Sequence, residues 1–217
     1  MDRRELKHEA WLWAVRLWQS GINAASSGNF SVRMPGEDVI AVTPSGVRYD
    51  SMTEEQIVLI DPDGRVLEGG KPSVETPMHT AVYRLRPDIG AVAHTHSPYT
   101  IALAALGRPL PMISVEGLCA GNALVPVTPA FRMPGSGELA GDVEALLRAD
   151  PSLCAVLLRS HGLLAMGHTA KDAVSLAESL EVEAHAYLLA CGAGEPERLS
   201  EETRQGILAH FAQRKGS

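Results

Sequence analysis

The sequence contains little cysteine, which excludes a fold held together by a framework of disulfide bonds. Three cysteines occur in 217 residues, and no CxxC spacing is present. Disulfide-rich extracellular scaffolds carry more cysteines, usually in an even number. We therefore expect Cys119, Cys154 and Cys191 to be small, buried apolar side chains in a protein of the reducing cytoplasm.

The chain also lacks a long apolar run and an excess of positive charge. A membrane-spanning helix needs about 20 apolar residues in succession, and residues 1–21 carry charges throughout, unlike a signal peptide. The formal net charge is −7, whereas nucleic-acid-binding proteins present a basic surface. We expect neither a membrane nor a nucleic acid as a partner.

The apolar pattern predicts helices and short strands that are interleaved along the whole chain. Turn-rich hairpins between the strands favour antiparallel pairing. We expect one domain over residues 1–217, an α/β fold of three layers (α/β/α) with helices on both faces of a central, mainly antiparallel sheet. Helices are predicted at 3–20, within 75–88 with Thr76 as cap, and at 98–106, 136–147, 170–190 and 200–214. Strands are predicted around 30–32, 39–42, 91–96, 113–115 and 124–127, with strand pairs within 57–69 and 154–167.

Two histidines stand one residue apart at the end of a predicted strand, in the sequence AVAHTHSPY (91–99). Because side chains alternate along a strand, His94 and His96 point to the same face. Two imidazoles a few Å apart repel each other when charged, but they make good ligands of one metal ion. A surface pair or a hydrogen-bonded pair in the core is the alternative interpretation.

A third histidine ends a second apolar strand. His161 follows the run 155–158, and Gly162 behind it lets the backbone turn sharply and approach a ligand closely. Catalytic zinc takes three protein ligands and keeps one open position. The set of three histidines, with an acid at Glu75, therefore predicts a divalent metal site. We expect His79, one turn beyond Glu75, to support the site or to pack in the core.

Four segments, in this order, resemble the class II aldolase/adducin-head family. They are SSGNFSVR (26–33), TPSG (43–46), KPSVETPMH (71–79) with AVAHTHSPY (91–99), and LLRSHGLLAMG (157–167). Together they span most of the chain. The resemblance implies the family's fold, a homotetramer with active sites at subunit interfaces, and a small sugar phosphate as the substrate.

The resemblance also implies a role for each matching residue. His94, His96 and His161 would be zinc ligands, and Glu75 would sit at the metal in the resting enzyme and then act as general acid/base. The implied reaction is a retro-aldol cleavage of a phosphorylated ketose to dihydroxyacetone phosphate and an aldehyde, through a metal-bound enediolate. The implied phosphate-binding residues are Ser26, Gly28, Asn29, Ser45, Gly46 and Ser73.

Several related activities remain open on the same scaffold. A sugar-phosphate 4-epimerase, a dehydratase or a 3-oxo-acid-phosphate decarboxylase would use the same chemistry. A non-catalytic adducin-like interaction module is an alternative of another class, although loss of the histidines would mark it. Imidazole ligands also suit manganese, cobalt and iron.

The substrate is not fixed by the resemblance. Ser114, with Glu116 close by, stands at the position of a family tyrosine, and Val74 replaces a phosphate-site serine directly before the acid. The apolar side chains of Val74, Met112 and Met133 favour a substrate with a less polar tail, such as a deoxy or methylthio sugar phosphate.

Overall fold

A computed structural model describes the backbone of residues 1–215 and the side chains of residues 1–118 and 120–210. This part of the chain forms six α-helices and nine strands. In chain order they are α1 (Arg3–Gln19), β1 (Asn29–Arg33), β2 (Ile40–Val42), β3 (Val58–Ile60), β4 (Val66–Glu68), α2 (Thr76–Leu85), β5 (Ala91–Thr95), α3 (Pro98–Leu106), β6 (Leu110–Pro111), β7 (Leu124–Val125), α4 (Gly137–Ala149), β8 (Ala155–Leu158), β9 (Gly162–Gly167), α5 (Ala170–Ala193) and α6 (Glu201–Lys215).

Seven of the strands form one sheet in the order β4-β3-β2-β1-β5-β9-β8. Each neighbouring pair in this sheet is antiparallel, and β6 and β7 form a separate antiparallel pair. Strand β5 lies between β1 and β9, so its residues are covered on both edges. The predicted α/β fold with a central antiparallel sheet is confirmed.

The two faces of the sheet bury two apolar clusters. Ala93 packs with apolar side chains of α1, α3 and α5, whereas its neighbour Val92 packs with those of α2 and α4. The three predicted layers follow from this alternation. Asn29 and Ser31 of β1 and His94 of β5 point to the face that α2 covers, because the residues between them belong to the opposite cluster.

Two local predictions are wrong. Thr76 does not cap α2 but is its first residue, because its hydroxyl donates to the Ser73 carbonyl oxygen over 2.7 Å; Glu75 holds the cap position. The strand expected at residues 113–115 lies earlier, at Leu110–Pro111. The backbone N–H groups of Ile113 and Ser114 donate to the Glu183 carboxylate instead of to a strand.

The cysteines are less buried than expected. Cys154 is half-buried and Cys191 is exposed, so the prediction of a buried side chain is wrong for Cys191, which lies in the last turns of α5. Cys119 lies outside the described side chains. No helix in the described part of the chain has the length and apolar character needed to cross a bilayer.

Candidate metal centre

Four side chains from three parts of the chain converge at one end of the sheet. His94 lies in β5, His96 directly follows that strand, His161 ends the turn between β8 and β9, and Glu75 immediately precedes α2. One ligand atom from each residue lies within 4.8 Å of the others. The structure thus brings together the four residues predicted from the sequence, which we call the histidine–glutamate cluster.

Local backbone features place the histidines of this cluster. The His96 N–H donates to Asn23 Oδ1 over 2.9 Å, which fixes the chain as it leaves β5. In the turn before His161, the left-handed conformation is adopted by Ser160, with φ of 53°, and not by Gly162. Gly162 instead permits close packing, since a Cβ there would lie 2.1 Å from the Thr95 carbonyl oxygen.

The three imidazoles surround a common point. Each pair of ring centroids is separated by 4.8 Å, with interplanar angles of 72° to 75°. His94 Nδ1 lies 2.9 Å from the Leu163 carbonyl oxygen. A carbonyl only accepts, so Nδ1 carries the proton and Nε2 directs a lone pair into the cluster. This Nε2 lies 2.9 Å from His96 Nε2.

The cluster has the donor chemistry and the unsatisfied atoms of a metal site. Glu75 Oε2 lies 3.2 Å from His94 Nε2, and Glu75 Oε1 lies 3.3 Å from His161 Nε2. Among the described residues, Glu75 Oε1 and both ring nitrogens of His161 are buried without a hydrogen-bond partner. Buried polar atoms are normally paired, and imidazole and carboxylate are common ligands of divalent metals. The residues therefore fit a divalent cation.

Burial keeps two of the three imidazoles neutral, as ligands must be. It lowers the pKa of His96 and of His161 to about 4. Burial alone would raise the pKa of Glu75. Electrostatic interactions with the neighbouring imidazoles of His94 and His161 and a hydrogen bond from Asn29 outweigh burial, so the Glu75 pKa lies well below its ordinary range. The carboxylate is therefore ionised at neutral pH.

A buried polar network lies behind Glu75. Asn29 Nδ2 donates to Glu75 Oε2 over 2.8 Å, and Asn29 Oδ1 lies 2.5 Å from His79 Nε2. His79 Nδ1 lies 2.7 Å from Ser31 Oγ, which is 2.8 Å from the Tyr83 hydroxyl. His79 is fully buried, and burial lowers its pKa to about 3.

The sequence reasoning anticipated a supporting role for His79 but missed Ser31 and Tyr83. Two signals were available. Ser31 alternates with Phe30 and Val32 in β1, which places it on the same face as Asn29. Tyr83 follows His79 by four residues in α2, which places both side chains on one face of the helix.

The segments predicted to bind phosphate lie side by side. Thr43 joins the first two, since its hydroxyl accepts from the Phe30 N–H and its own N–H donates to the Phe30 carbonyl. The Ser45 N–H donates to the Lys71 carbonyl over 3.0 Å, which joins the second segment to the third. Of the predicted residues, Ser26 and Gly46 are exposed, Gly28 and Ser45 are half-buried, and Asn29 and Ser73 are buried.

Gly28 ties the first of these segments to the metal centre. Its φ is 73°, and a Cβ there would lie 2.5 Å from both the His94 carbonyl oxygen and Asn23 Nδ2. A side chain would therefore push the loop away from β5. The loop and the histidine–glutamate cluster form one continuous site.

The apolar residues expected near a substrate tail separate into two groups. Val74, directly before Glu75, is 53% exposed, and Met133, 67% exposed, lies two residues before Gly135, which packs against the Val74 carbonyl. Met112 is 1% exposed and belongs to the core between the sheet and α5, so the prediction that it faces a substrate is wrong. The Ser114 hydroxyl donates to the Glu183 carboxylate.

Comparisons with known proteins agree with this geometry. Residues 12–188 match the model of the family described as class II aldolase and adducin N-terminal domain. The L-fuculose phosphate aldolase of Escherichia coli O6:H1 is 34% identical over 97% of this chain and 96% of the relative. The 5-methylthioribulose-1-phosphate/5-deoxyribulose-1-phosphate aldolase of Rhodospirillum rubrum is 35% identical over 97% of this chain and 92% of the relative.

A solved structure of L-fuculose 1-phosphate aldolase superposes with a TM-score of 0.90 and 32% identity, covering 98% of both chains. Fold, sequence and cluster therefore agree, and the resemblance found in the four sequence segments is confirmed. The chain belongs to the class II aldolase and adducin N-terminal domain family.

Proposed function

We propose that this protein is a divalent-metal-dependent aldolase that cleaves a phosphorylated ketose to dihydroxyacetone phosphate and an aldehyde. The observation that carries the proposal is the convergence of three imidazoles and one carboxylate, with ligand atoms within 4.8 Å of one another. The predicted enzyme class, an aldehyde-lyase of the class II aldolase type, is confirmed by relatives that are named aldolases and align over nearly the whole chain.

The proposed roles follow from the position of each side chain. His94, His96 and His161 would hold the cation, and Glu75 would exchange a proton with the substrate. A bound divalent cation would supply Lewis-acid stabilisation of the negative charge that develops on adjacent sugar oxygens. Glu75 suits proton exchange because it is buried, ionised and free of hydrogen bonds at Oε1 among the described residues.

The phosphate group would bind in the loop next to the cluster. Ser26, Gly28, Ser45, Gly46 and Ser73 lie on segments that are hydrogen-bonded to one another, and such loops surround an anion with N–H and hydroxyl groups. Asn29 is also in the proposed set. Its amide oxygen contacts His79 and one N–H of its NH₂ group donates to Glu75, so only the second N–H is available to a ligand.

We propose a substrate with an apolar tail, namely a 5-deoxy or 5-methylthio ketopentose 1-phosphate. Val74 provides exposed apolar surface directly before Glu75, and the segment of exposed Met133 reaches Val74 through Gly135; the far end of a short sugar phosphate would lie on this surface. The relative from Rhodospirillum rubrum is named for substrates of this kind. L-fuculose 1-phosphate is the competing candidate because of the other relative.

Four finer features complete the proposal. Zinc is the proposed metal, with manganese, cobalt or iron as alternatives, because three imidazoles and an open position are typical of catalytic zinc. One domain over residues 1–217 is supported by two apolar clusters that share one sheet. A cytoplasmic location agrees with the free thiols of Cys154 and Cys191.

A homotetramer with interfacial sites is supported by exposed apolar side chains on α3 and α5, among them Tyr99, Val182 and Leu189.

A substrate panel tests the function directly. The purified, zinc-loaded protein is incubated with 5-deoxyribulose 1-phosphate, 5-methylthioribulose 1-phosphate and L-fuculose 1-phosphate, and dihydroxyacetone phosphate is detected by coupled reduction. We expect the highest kcat/KM with the two apolar-tailed substrates and no product after chelation of the metal. Release of CO₂ from a 3-oxo acid phosphate, or epimerisation of a pentose phosphate without cleavage, would assign a different activity.

Sedimentation velocity tests the assembly. We expect a species of four chains, and we expect Val182→Glu with Leu189→Glu to dissociate it. A monomer at the concentrations used for the assay would contradict the proposed homotetramer.

A further inference from the structure

The hydrogen bonds behind Glu75 have only one consistent direction. The Glu75 carboxylate can only accept, so the NH₂ group of Asn29 must face it, and Asn29 Oδ1 must face His79. That oxygen also only accepts, so His79 Nε2 must carry a proton. Neutral His79 then accepts at Nδ1 from the Ser31 hydroxyl, and Ser31 accepts from the Tyr83 hydroxyl.

The direction of this series matters for Glu75. The Asn29 side chain could rotate by half a turn and present its oxygen to the carboxylate, which would repel it. The proton on His79 Nε2 prevents this rotation, because the NH₂ group would then face another donor. Each member of the series is buried, with Asn29 3%, Ser31 0%, His79 0% and Tyr83 4% exposed, so water does not compete.

The far end of the series is anchored as well. The Tyr83 backbone carbonyl accepts from the Arg33 guanidinium, which also lies 4.6 Å above the Tyr83 ring. Tyr83 therefore has little freedom to turn its hydroxyl away from Ser31. The series runs from a fixed tyrosine to one oxygen of Glu75.

We propose that His79 is a positioning residue for the acid/base Glu75. It fixes the orientation of Asn29, which binds Oε2 and leaves Oε1, 3.3 Å from His161 Nε2 and without a hydrogen bond among the described residues, as the atom that exchanges the proton. This inference rests on the proposed function, because it assigns the support of Glu75 in that reaction. A purely structural histidine is the competing interpretation.

Two amide variants separate these interpretations, since each retains one of the two hydrogen bonds of His79. His79→Gln places an NH₂ group near the position of Nε2 and keeps the donor to Asn29. His79→Asn places its amide near the position of Nδ1 and keeps only the contact with Ser31. A structural role predicts similar losses in both variants.

We expect His79→Asn to lower kcat about 10-fold to 100-fold with KM nearly unchanged, as is typical when a supporting partner is lost. We expect His79→Gln to restore most of that loss. Metal content and melting temperature are measured in parallel to identify a variant that fails to bind metal or to fold. Equal kcat values in two folded, metal-loaded variants would overturn the proposal.

Measuring the tautomer of His79 is a second test, which requires neither an activity assay nor a variant protein. Imidazole ¹⁵N NMR on the wild-type protein, zinc-loaded and after metal removal, reports which ring nitrogen carries the proton. We expect His79 in the Nε2–H form in both samples. The Nδ1–H form would overturn the proposal, because Asn29 would then turn its oxygen towards Glu75.

The same data distinguish failure of the proposal from failure of the proposed function. If the wild-type protein cleaves no ketose phosphate while His79 is in the Nε2–H form, the hydrogen-bond series stands and the aldolase assignment fails. If the protein is an active aldolase with the Nδ1–H form, only the positioning role fails.

Discussion

At the scale of single residues, the protonation state of each imidazole decides whether the histidine–glutamate cluster can hold a cation. His94 is held in one tautomer by the Leu163 carbonyl, and burial lowers the pKa of His96 and of His161 to about 4. Each ring therefore offers a lone pair at neutral pH. A ligand set of this kind is lost when one imidazole is removed, because three protein ligands are the usual minimum for catalytic zinc.

We expect His161→Ala to lower the affinity for zinc, because it removes a ligand. The decrease should exceed the roughly 10-fold to 100-fold decrease that is typical when only a hydrogen-bonding partner of a ligand is removed. Zinc titration of the metal-free variant by calorimetry measures the change. His168→Ala is the matched control, because His168 lies seven residues further on and is exposed. Wild-type affinity in folded His161→Ala protein would show that this histidine is not a ligand.

Glu75→Gln is expected to bind metal and keep its fold but to lose about 10²-fold or more in kcat, because an amide does not accept and return a proton at neutral pH. The Asn29 and His94 contacts offer the new amide hydrogen-bonding partners. Coupled detection of dihydroxyacetone phosphate measures kcat, and metal analysis serves as the control. A rate near that of the wild type would remove Glu75 from its acid/base role.

At the scale of elements, α5 supports the metal centre from the opposite side of the sheet. Both carboxylate oxygens of Glu181 accept from backbone N–H groups at the start of α3, from Tyr99 over 2.9 Å and from Thr100 over 3.0 Å. This contact replaces the cap that the Ser97 side chain does not provide. Because α3 starts two residues after His96, Glu181 also steadies the end of β5.

Glu181→Gln is expected to destabilise the protein by about 1 kcal/mol. The substitution puts an NH₂ donor in place of one carboxylate acceptor and removes a negative charge at a helix N-terminus. A weaker affinity for zinc, by roughly 10-fold, should accompany the loss. Urea unfolding and zinc titration measure the two effects, with Glu178→Gln on the same helix as the control. If both variants behave alike, α3 does not depend on this contact.

The elements of the site were predictable from local patterns, but their supports were not. The alternation of β5 placed His94 and His96 on one face, and the turn after β8 placed His161, because both signals lie within a few residues. Glu181 was not predicted, since its partners lie about 80 positions earlier in the chain and its own helix gives no sign of them. The same holds for Glu183, which binds the segment where a strand was expected.

At the scale of the whole molecule, the buried histidines link stability to pH. The pKa values are about 3 for His79 and about 4 for His96 and His161, below the ordinary value of about 6.5. The unfolded chain therefore binds more protons between about pH 6.5 and pH 4. The stability associated with these groups is present above pH 6.5 and is lost as the pH falls through this range.

The metal-free protein should thus lose free energy of unfolding as the pH falls from 6.5 towards 4. The slope approaches about 1.4 kcal/mol per pH unit for the fully buried His79 and is smaller for the partly exposed His96. Urea unfolding at pH 7, 6 and 5 measures it, and His79→Gln should flatten the dependence. Stability that is constant or rises over this range would contradict neutral, buried imidazoles.

The global architecture was largely readable from the sequence, because hairpin turns and apolar alternation encode antiparallel neighbours. The order of the strands in the sheet was not readable, because β1 pairs with β5 although β2, β3, β4 and α2 lie between them in the sequence. That long-range pairing sets Asn29 opposite His94 and so brings the predicted phosphate loop next to the histidine–glutamate cluster.

The central claim is that His94, His96 and His161 hold one divalent cation beside Glu75. Anomalous diffraction at the zinc edge from crystals of the zinc-loaded protein tests it most directly. We predict a single strong peak about 2.0–2.1 Å from the imidazole nitrogens of all three histidines. A peak elsewhere, or none at this position in zinc-saturated crystals, would contradict the account.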